Sequence, residues 1–269
     1  MDRSMLLMCK PTYYDVNYVI NPWMEGNLHK ASKPRALAQW QSLHDELAKH
    51  AEVRLVTQQQ GSPDMVFTAN AGLAHGLSVA LSRFQYAERQ AEEDHFGRWF
   101  AEAGYDVFEM PREMPFEGEG DALFASDCSR LWAGYGFRTS MQSHDELRRR
   151  WDVPVHSLRL SDARFYHLDT CFAPLPNGDL MYFPQAFDAE SRRLIEQFYA
   201  PEQRIIVAEA DALRFACNVV CLRSKLVLNQ IGQELRQQLQ MRGFEVIELE
   251  LDEFLKAGGA AKCLVMHLT

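Results

Sequence analysis

Six polar residues recur along this chain at a nearly constant interval, and that rhythm limits the fold more than any other feature. Asn21, Asn70, Glu117, His167, Asn218 and Cys263 are separated by 49, 47, 50, 51 and 45 residues. The apolar pattern between them repeats as well, each unit reading strand, strand, helix, strand. A long period of this kind marks a radially repeated architecture rather than a linear doubly wound sheet. If every unit sends one strand end to a common centre, all six residues meet there. The plainer alternative is an accidental rhythm, since any alternating α/β chain spaces its strands regularly.

The local patterns fill in the units. Residues 5–9 read as a buried strand, and Leu37, Trp40, Leu43 and Leu47 mark a helical face over 34–50, with Pro34 in its first turn. Strands are expected at 53–57, 65–72, 77–83, 105–109, 122–126, 130–135, 155–160, 205–208 and 246–250. Helices are expected at 88–103, after a Ser143 cap with Glu146 three residues on, at 189–199 behind Asp188, and at 233–241 before Gly243. A short apolar strand should follow Cys263.

Composition narrows the function classes. The 269 residues are 47% apolar and 24% charged, an ordinary globular balance. A formal charge of -9 disfavours a phosphate-binding surface and suits a cationic small ligand. No run approaches the roughly 20 apolar residues that span a bilayer, and the N-terminal apolar run is short for a leader. The six cysteines lack CxxC pairing, which speaks for a reducing, cytoplasmic setting without disulfides or zinc.

Chemistry concentrates in the polar turns. Cysteine attacks as thiolate, and Lys262 with the Gly258-Gly259 turn are the expected means of lowering the pKa of Cys263. The competing reading is a small buried apolar residue. His167 is the candidate for acid/base work, to which the imidazole side chain is suited as a type. Asp169, two positions on, shares its face if the segment is extended, and so do Glu117 and Glu119. Carboxylates beside a thiol raise its pKa and serve an acyl substrate poorly. They serve a planar cation well, because guanidinium binds carboxylates as a bidentate fork.

The segments FTANAG, FEGEGD, HLDT and GGAAKC, in that order and spacing, resemble the guanidine-modifying enzymes of the amidinotransferase superfamily, the pentein fold. The resemblance covers essentially the whole chain. It implies a single domain over 1–269 built as a five-bladed α/β propeller of ββαβ repeats around a pseudo-fivefold axis. It further implies Cys263 as nucleophile, His167 as acid/base, and Asp169 with an acid of FEGEGD on the guanidinium. FEGEGD is one residue longer than the usual EGGD, so that acid is Glu117 or Glu119, and spacing and register favour Glu117. Arg138, in GFRTS, matches the arginine that holds a substrate α-carboxylate. Arg89 is a candidate helper on a helix-capping loop, with Arg83 as its competitor.

Within the superfamily, Asn70 stands where many relatives have aspartate, and an amide adds a donor for a neutral ureido oxygen. With Asn21, in INPWMEG, it is similar to the arginine dihydrolases; a turn-setting cap before Pro22 is the other reading of Asn21. The resemblance thus implies a cofactor-free and metal-free hydrolase taking arginine or a close derivative through an S-amidino intermediate to ornithine, two ammonia and carbon dioxide. Deiminase, dimethylargininase and amidinotransferase are the alternatives inside the superfamily, and a non-catalytic propeller binding protein the alternative outside it. The expected partner is a small guanidino compound, with neither nucleic acid nor membrane; no pattern speaks to oligomeric state.

Overall fold

The computed structural model describes residues 4–268; the first three residues, part of the stretch read for a leader, and the last one lie outside it. Five three-stranded sheets account for all fifteen strands among these residues. The first combines β1 (Met5–Cys9), helix α1 (Lys33–Ala48) and β2 (Glu52–Val56). The second runs β3 (Gly72–His75), β4 (Ser78–Leu81), α2 (Ala87–Glu102), β5 (Asp106–Glu109). The third runs β6 (Ala122–Phe124), β7 (Leu131–Tyr135), α3 (Met141–Trp151), β8 (Val155–Arg159). The fourth runs β9 (Phe172–Pro174), β10 (Leu180–Tyr182), α4 (Ala189–Phe198), β11 (Arg204–Ile206). The fifth follows a short α5 (Glu209–Ala212) with β12 (Val220–Leu222), β13 (Lys225–Asn229), α6 (Gln233–Met241), β14 (Glu245–Leu249). A last short helix, α7 (Asp252–Leu255), leads to the cysteine turn and β15 (Met266–His267).

Each sheet has one grammar: the first strand pairs antiparallel with the second, and the third returns through a helix to lie parallel to the second. The first sheet lacks a leading strand of its own, and β15 supplies it by pairing antiparallel with β1 through Leu6 and His267. The ring is thereby closed by opposite ends of the chain. Residues from or beside all five leading strands (Ala74, Ala122, Phe172, Val219 and His267) line one cavity, which puts those strands innermost. This is the ring expected from the repeat and the five-bladed pentein arrangement implied by the resemblance.

The elements follow their local chemistry. Asp188 accepts the Ser191 N–H at 2.8 Å and starts α4. Gly243, at φ +87°, lets the chain leave α6. Two readings fail locally. The expected strand over 65–72 is a pair of 3-10 turns, Pro63–Val66 and Thr68–Ala71, with extended pairing beginning only at Gly72. Helix α3 begins after Ser140, while Ser143 lies inside it, its hydroxyl donating to Ser140 O at 2.7 Å. The Ser143–Glu146 spacing therefore falls inside the helix and caps nothing.

Candidate active site

The blade period explains the polar rhythm. Asn70, Glu117, His167, Asn218 and Cys263 each lie two to five residues before an innermost strand, at β3, β6, β9, β12 and β15. The turns that carry three of them are short 3-10 segments, Thr68–Ala71, Gly118–Gly120 and Leu168–Thr170. Gly118 makes one of these turns possible: at φ +59°, a Cβ there would meet Gly72 O at 2.6 Å. Asn21 is the exception, since it lies between β1 and α1 and precedes no inner strand.

At the centre, Cys263 Sγ sits 3.5 Å from Asp169 Oδ2 and receives an N–H from Asn218 Nδ2 at 3.1 Å. Burial and the Asp169 carboxylate push the thiol well above its ordinary pKa. The expected lowering by Lys262 does not occur. Its ammonium is taken up by Glu119 and Val265 O, and the thiol stays above its ordinary value. Burial likewise raises Asp169 to about 7.

Beside this pair stands a second unit. His167 Nε2 meets Glu117 Oε2 at 2.7 Å, so the proton rests on Nε2 and the lone pair on Nδ1. Glu117 also accepts from Arg138 Nη1 at 3.1 Å and from Gln85 N at 3.2 Å. Burial would raise the Glu117 carboxyl, but Arg138 and His167 hold it down to about 2. Asp121 fixes the histidine turn, accepting from Leu168 N at 3.0 Å and from Thr139 at 2.6 Å; burial raises its pKa to about 6.

A tight cavity of about 10 Å³, room for about one water, opens against the sulfur; its walls include Asn21, Asp64, Asn70, Arg138, Tyr166 and Cys263. Most charge in these walls is internally matched. Arg138 lies between the rings of Tyr86 and Tyr166 and donates to Ile20 O as well as Glu117. Arg89 grips Glu92 with two N–H groups and gives others to Asn70 Oδ1 and Asp64 O. Asp64 is the exception: Oδ2 accepts from Tyr18, but Oδ1 is buried without a hydrogen-bond partner among the described residues. A buried carboxylate oxygen left open in a wall calls for a donor, and a cation supplies the strongest one.

Residues 14–269 match the N,N dimethylarginine dimethylhydrolase family, eukaryotic. The chain belongs to that family. It is 57% identical, over 99% of its length, to the bifunctional arginine dihydrolase/ornithine cyclodeaminase AgrE of Nostoc sp.. It is 36% identical over 97% of its length to the N(G),N(G)-dimethylarginine dimethylaminohydrolase of Mycobacterium tuberculosis, covering 84% of that protein. The crystal structure of the N-terminal domain of ArgZ, an arginine dihydrolase of the cyanobacterial ornithine–ammonia cycle bound to substrate as a cysteine-to-serine variant, superimposes with a TM-score of 0.98. It shares 54% identity, with 99% of this chain and 98% of that one covered. The chain spans 38% of the length of the bifunctional relatives AgrE and ArgZ.

Against the family pattern, the residues read from sequence divide. Cys263, Asn70, Asn21, Arg89 and Arg138 share the small cavity, and Asp169 and the His167–Glu117 pair adjoin it. Glu119 does not join them. It faces the opposite way, binding Lys262 Nζ and the His267 N–H, and those partners hold its carboxyl down to about 2 against the raising effect of burial. Arg89 is in the first turn of α2 rather than on a loop, with most of its donors engaged by the protein. Arg83 lies outside the site, paired with Glu93 and Glu109. Asn21 acts as the cap: its Oδ1 accepts from Trp23 and Met24 N–H while Nδ2 ties the loop to Ala257 O. Sequence reasoning missed Asp64, passed over as part of a loop, and gave no role to Asn218 although its place in the rhythm singled it out. Tyr166, whose hydroxyl donates to Gly258 O at 2.6 Å, was also unassigned.

Proposed function

We propose that residues 1–269 form one catalytic domain, an arginine dihydrolase acting on free arginine in the cytoplasm. The observation that carries this reading is the thiol of Cys263 facing the Asp169 carboxylate at 3.5 Å, in a pocket whose other acid, Asp64, has an oxygen still to satisfy. The substrate class follows from that arrangement. A thiol beside a carboxylate is a poor nucleophile until a positive charge arrives between them, and a guanidinium brings one. Binding of the cation lowers the pKa of both neighbours and so activates its own attacker.

In the first half-reaction the thiol, its pKa lowered by the bound cation, releases its proton to solvent, and the resulting thiolate bonds to the guanidinium carbon. Protonated His167, its second proton on Nδ1 and its charge balanced by Glu117, donates to the departing nitrogen, which leaves as ammonia. The S-amidino adduct is then attacked by water, whose proton passes to His167, and collapse frees the thiol and a ureido group. The same sulfur attacks that ureido carbon, a second ammonia leaves, and a second water releases a carbamate that splits into ornithine and carbon dioxide. Asn70 suits this second round, because an amide N–H can hold the neutral ureido oxygen where a carboxylate would repel it. The likeness to AgrE and ArgZ supports the dihydrolase reading over the other members of the superfamily. No cofactor, metal, nucleic acid or membrane is needed for these steps, and the partner is the small guanidino substrate alone.

The test is a product assay on arginine. Ornithine and ammonia should appear in a 1:2 ratio. Citrulline that accumulates and is never consumed would make the enzyme a deiminase. Faster release of dimethylamine from dimethylarginine would make it a dimethylargininase, the reading favoured by the family description.

A further inference from the structure

Asn218 is fully buried and makes hydrogen bonds that leave its amide only one orientation. The Cys263 backbone N–H points at it from 3.0 Å and can only donate, so the facing atom is Oδ1. The amide nitrogen is then necessarily turned to the sulfur, 3.1 Å away, with Asp169 O as its other acceptor at 3.3 Å. The backbone of Asn218 completes the clamp, its carbonyl accepting the Lys262 N–H at 3.3 Å. One side chain thus ties the cysteine turn before β15 to the turn that carries His167 and Asp169.

We propose that Asn218 is a thiolate-holding residue, whose amide N–H stabilises the negative sulfur of Cys263 each time the reaction forms or releases it. The inference rests on Cys263 being the nucleophile. The physical reason is differential: a thiol is a feeble acceptor, whereas a thiolate takes a charge-assisted bond from the same N–H. The amide therefore favours the charged sulfur while Asp169 opposes it, and it also fixes where the sulfur stands relative to the incoming carbon. Its backbone bond performs the second task even when the donor is changed, so the two contributions are separable by substitution.

The test compares Asn218→Asp, which keeps the shape and the acceptor for Cys263 N–H, with Asn218→Ala, which loses both. The readout is the rate at which chloroacetamide alkylates Cys263 across pH, followed peptide by peptide in the full chain. Exposed Cys128 serves as the internal standard. Loss of the donor should slow alkylation of Cys263 about tenfold in Asn218→Ala, the equivalent of one pKa unit. Asn218→Asp should slow it further, because a second carboxylate then faces the sulfur. A merely structural role moves the readout the other way, since a loosened turn exposes the sulfur and speeds the reaction. Arginine turnover should fall in parallel, in kcat more than in KM. Unchanged or faster alkylation in folded Asn218→Asp overturns the proposal and leaves the nucleophile reading standing. If alkylation of Cys263 in the unaltered protein leaves turnover intact, both fall together.

Discussion

Cys263 and Asp169 stand between two cavities that differ in almost every respect. On one side is the tight, charged pocket of about 10 Å³ with Arg138, Asp64 and Asn70 in its walls. On the other is a cavity of about 280 Å³ with Ala122, Phe124, Phe172, Ala173 and Val219 as walls, and Lys262, Glu119 and Asp169 also lining it. Size alone would place a ligand in the larger space. The reactive groups are on the smaller side, where the sulfur, the unpartnered Asp64 oxygen and the arginines are assembled. The difference teaches that the small pocket is closed by matched charge: the pairs Arg138–Glu117 and Arg89–Glu92 hold its walls together. On the proposed reading an amino acid would enter only if those walls parted, and the loop capped by Asn21 at Pro22–Met24 is hung on them through Ala257.

The comparison breaks first at the sulfur. Cys263→Ser should reduce arginine turnover by at least 10³-fold while calorimetry still detects arginine binding; a variant that keeps substantial turnover would place the chemistry elsewhere. Next, Asp169→Asn should lose about 10²-fold in kcat/KM, since it removes the charge that draws the cation to the thiol. The same substitution reports on pH. The folded pKa of Asp169 is raised by burial to about 7, so its stabilising contribution is complete below the ordinary carboxylate range and disappears as pH rises through about 7. Melting curves of the two proteins should therefore diverge between about pH 4 and pH 7 and run parallel above that, with Asp169→Asn gaining relative to the unaltered chain. Arginine binding runs oppositely: it should tighten as pH rises through about 7, as the carboxylate forms. Glu117 and Glu119, held down to about 2, contribute stability that is complete above the ordinary carboxylate range and is lost progressively as pH falls from there through about 2.

How far the sequence reaches is clearest at those two glutamates. The ring was legible because every blade repeats one grammar and sets a polar residue at the entry to its inner strand. Glu117 and Glu119 were expected to share a face, as alternate residues do in a strand. Residues 118–120 instead form a 3-10 turn, in which successive side chains are rotated by a third of a revolution, so positions two apart diverge. Glu117 consequently meets His167, and Glu119 meets Lys262 on the far side. The His167–Asp169 pair sits on a turn of the same kind, so their nearness to the site owes nothing to strand alternation. Lys262 failed for a related reason: adjacency in sequence to Cys263 says nothing about where a long side chain finds its partner. Asp64 was invisible because only the folded chain shows that one of its oxygens lacks a partner.

The smallest expected effect is the sharpest check on the contrast between the two sides. Ala173, in β9, lines the large cavity and is not among the walls of the small one. Ala173→Val extends a side chain toward free volume of about 280 Å³, so the overpacking penalty of a filled core does not apply. A β-branched residue also suits a strand. Stability should change by less than about 1 kcal/mol, and kcat/KM for arginine should stay within about twofold, because neither the sulfur nor its carboxylate is disturbed. A tenfold fall in turnover at an unchanged melting temperature would mean that water or ammonia travels through the apolar side during the reaction. The larger cavity would then belong to the catalytic cycle, and the division of labour between the two faces of the Cys263–Asp169 pair would have to be abandoned.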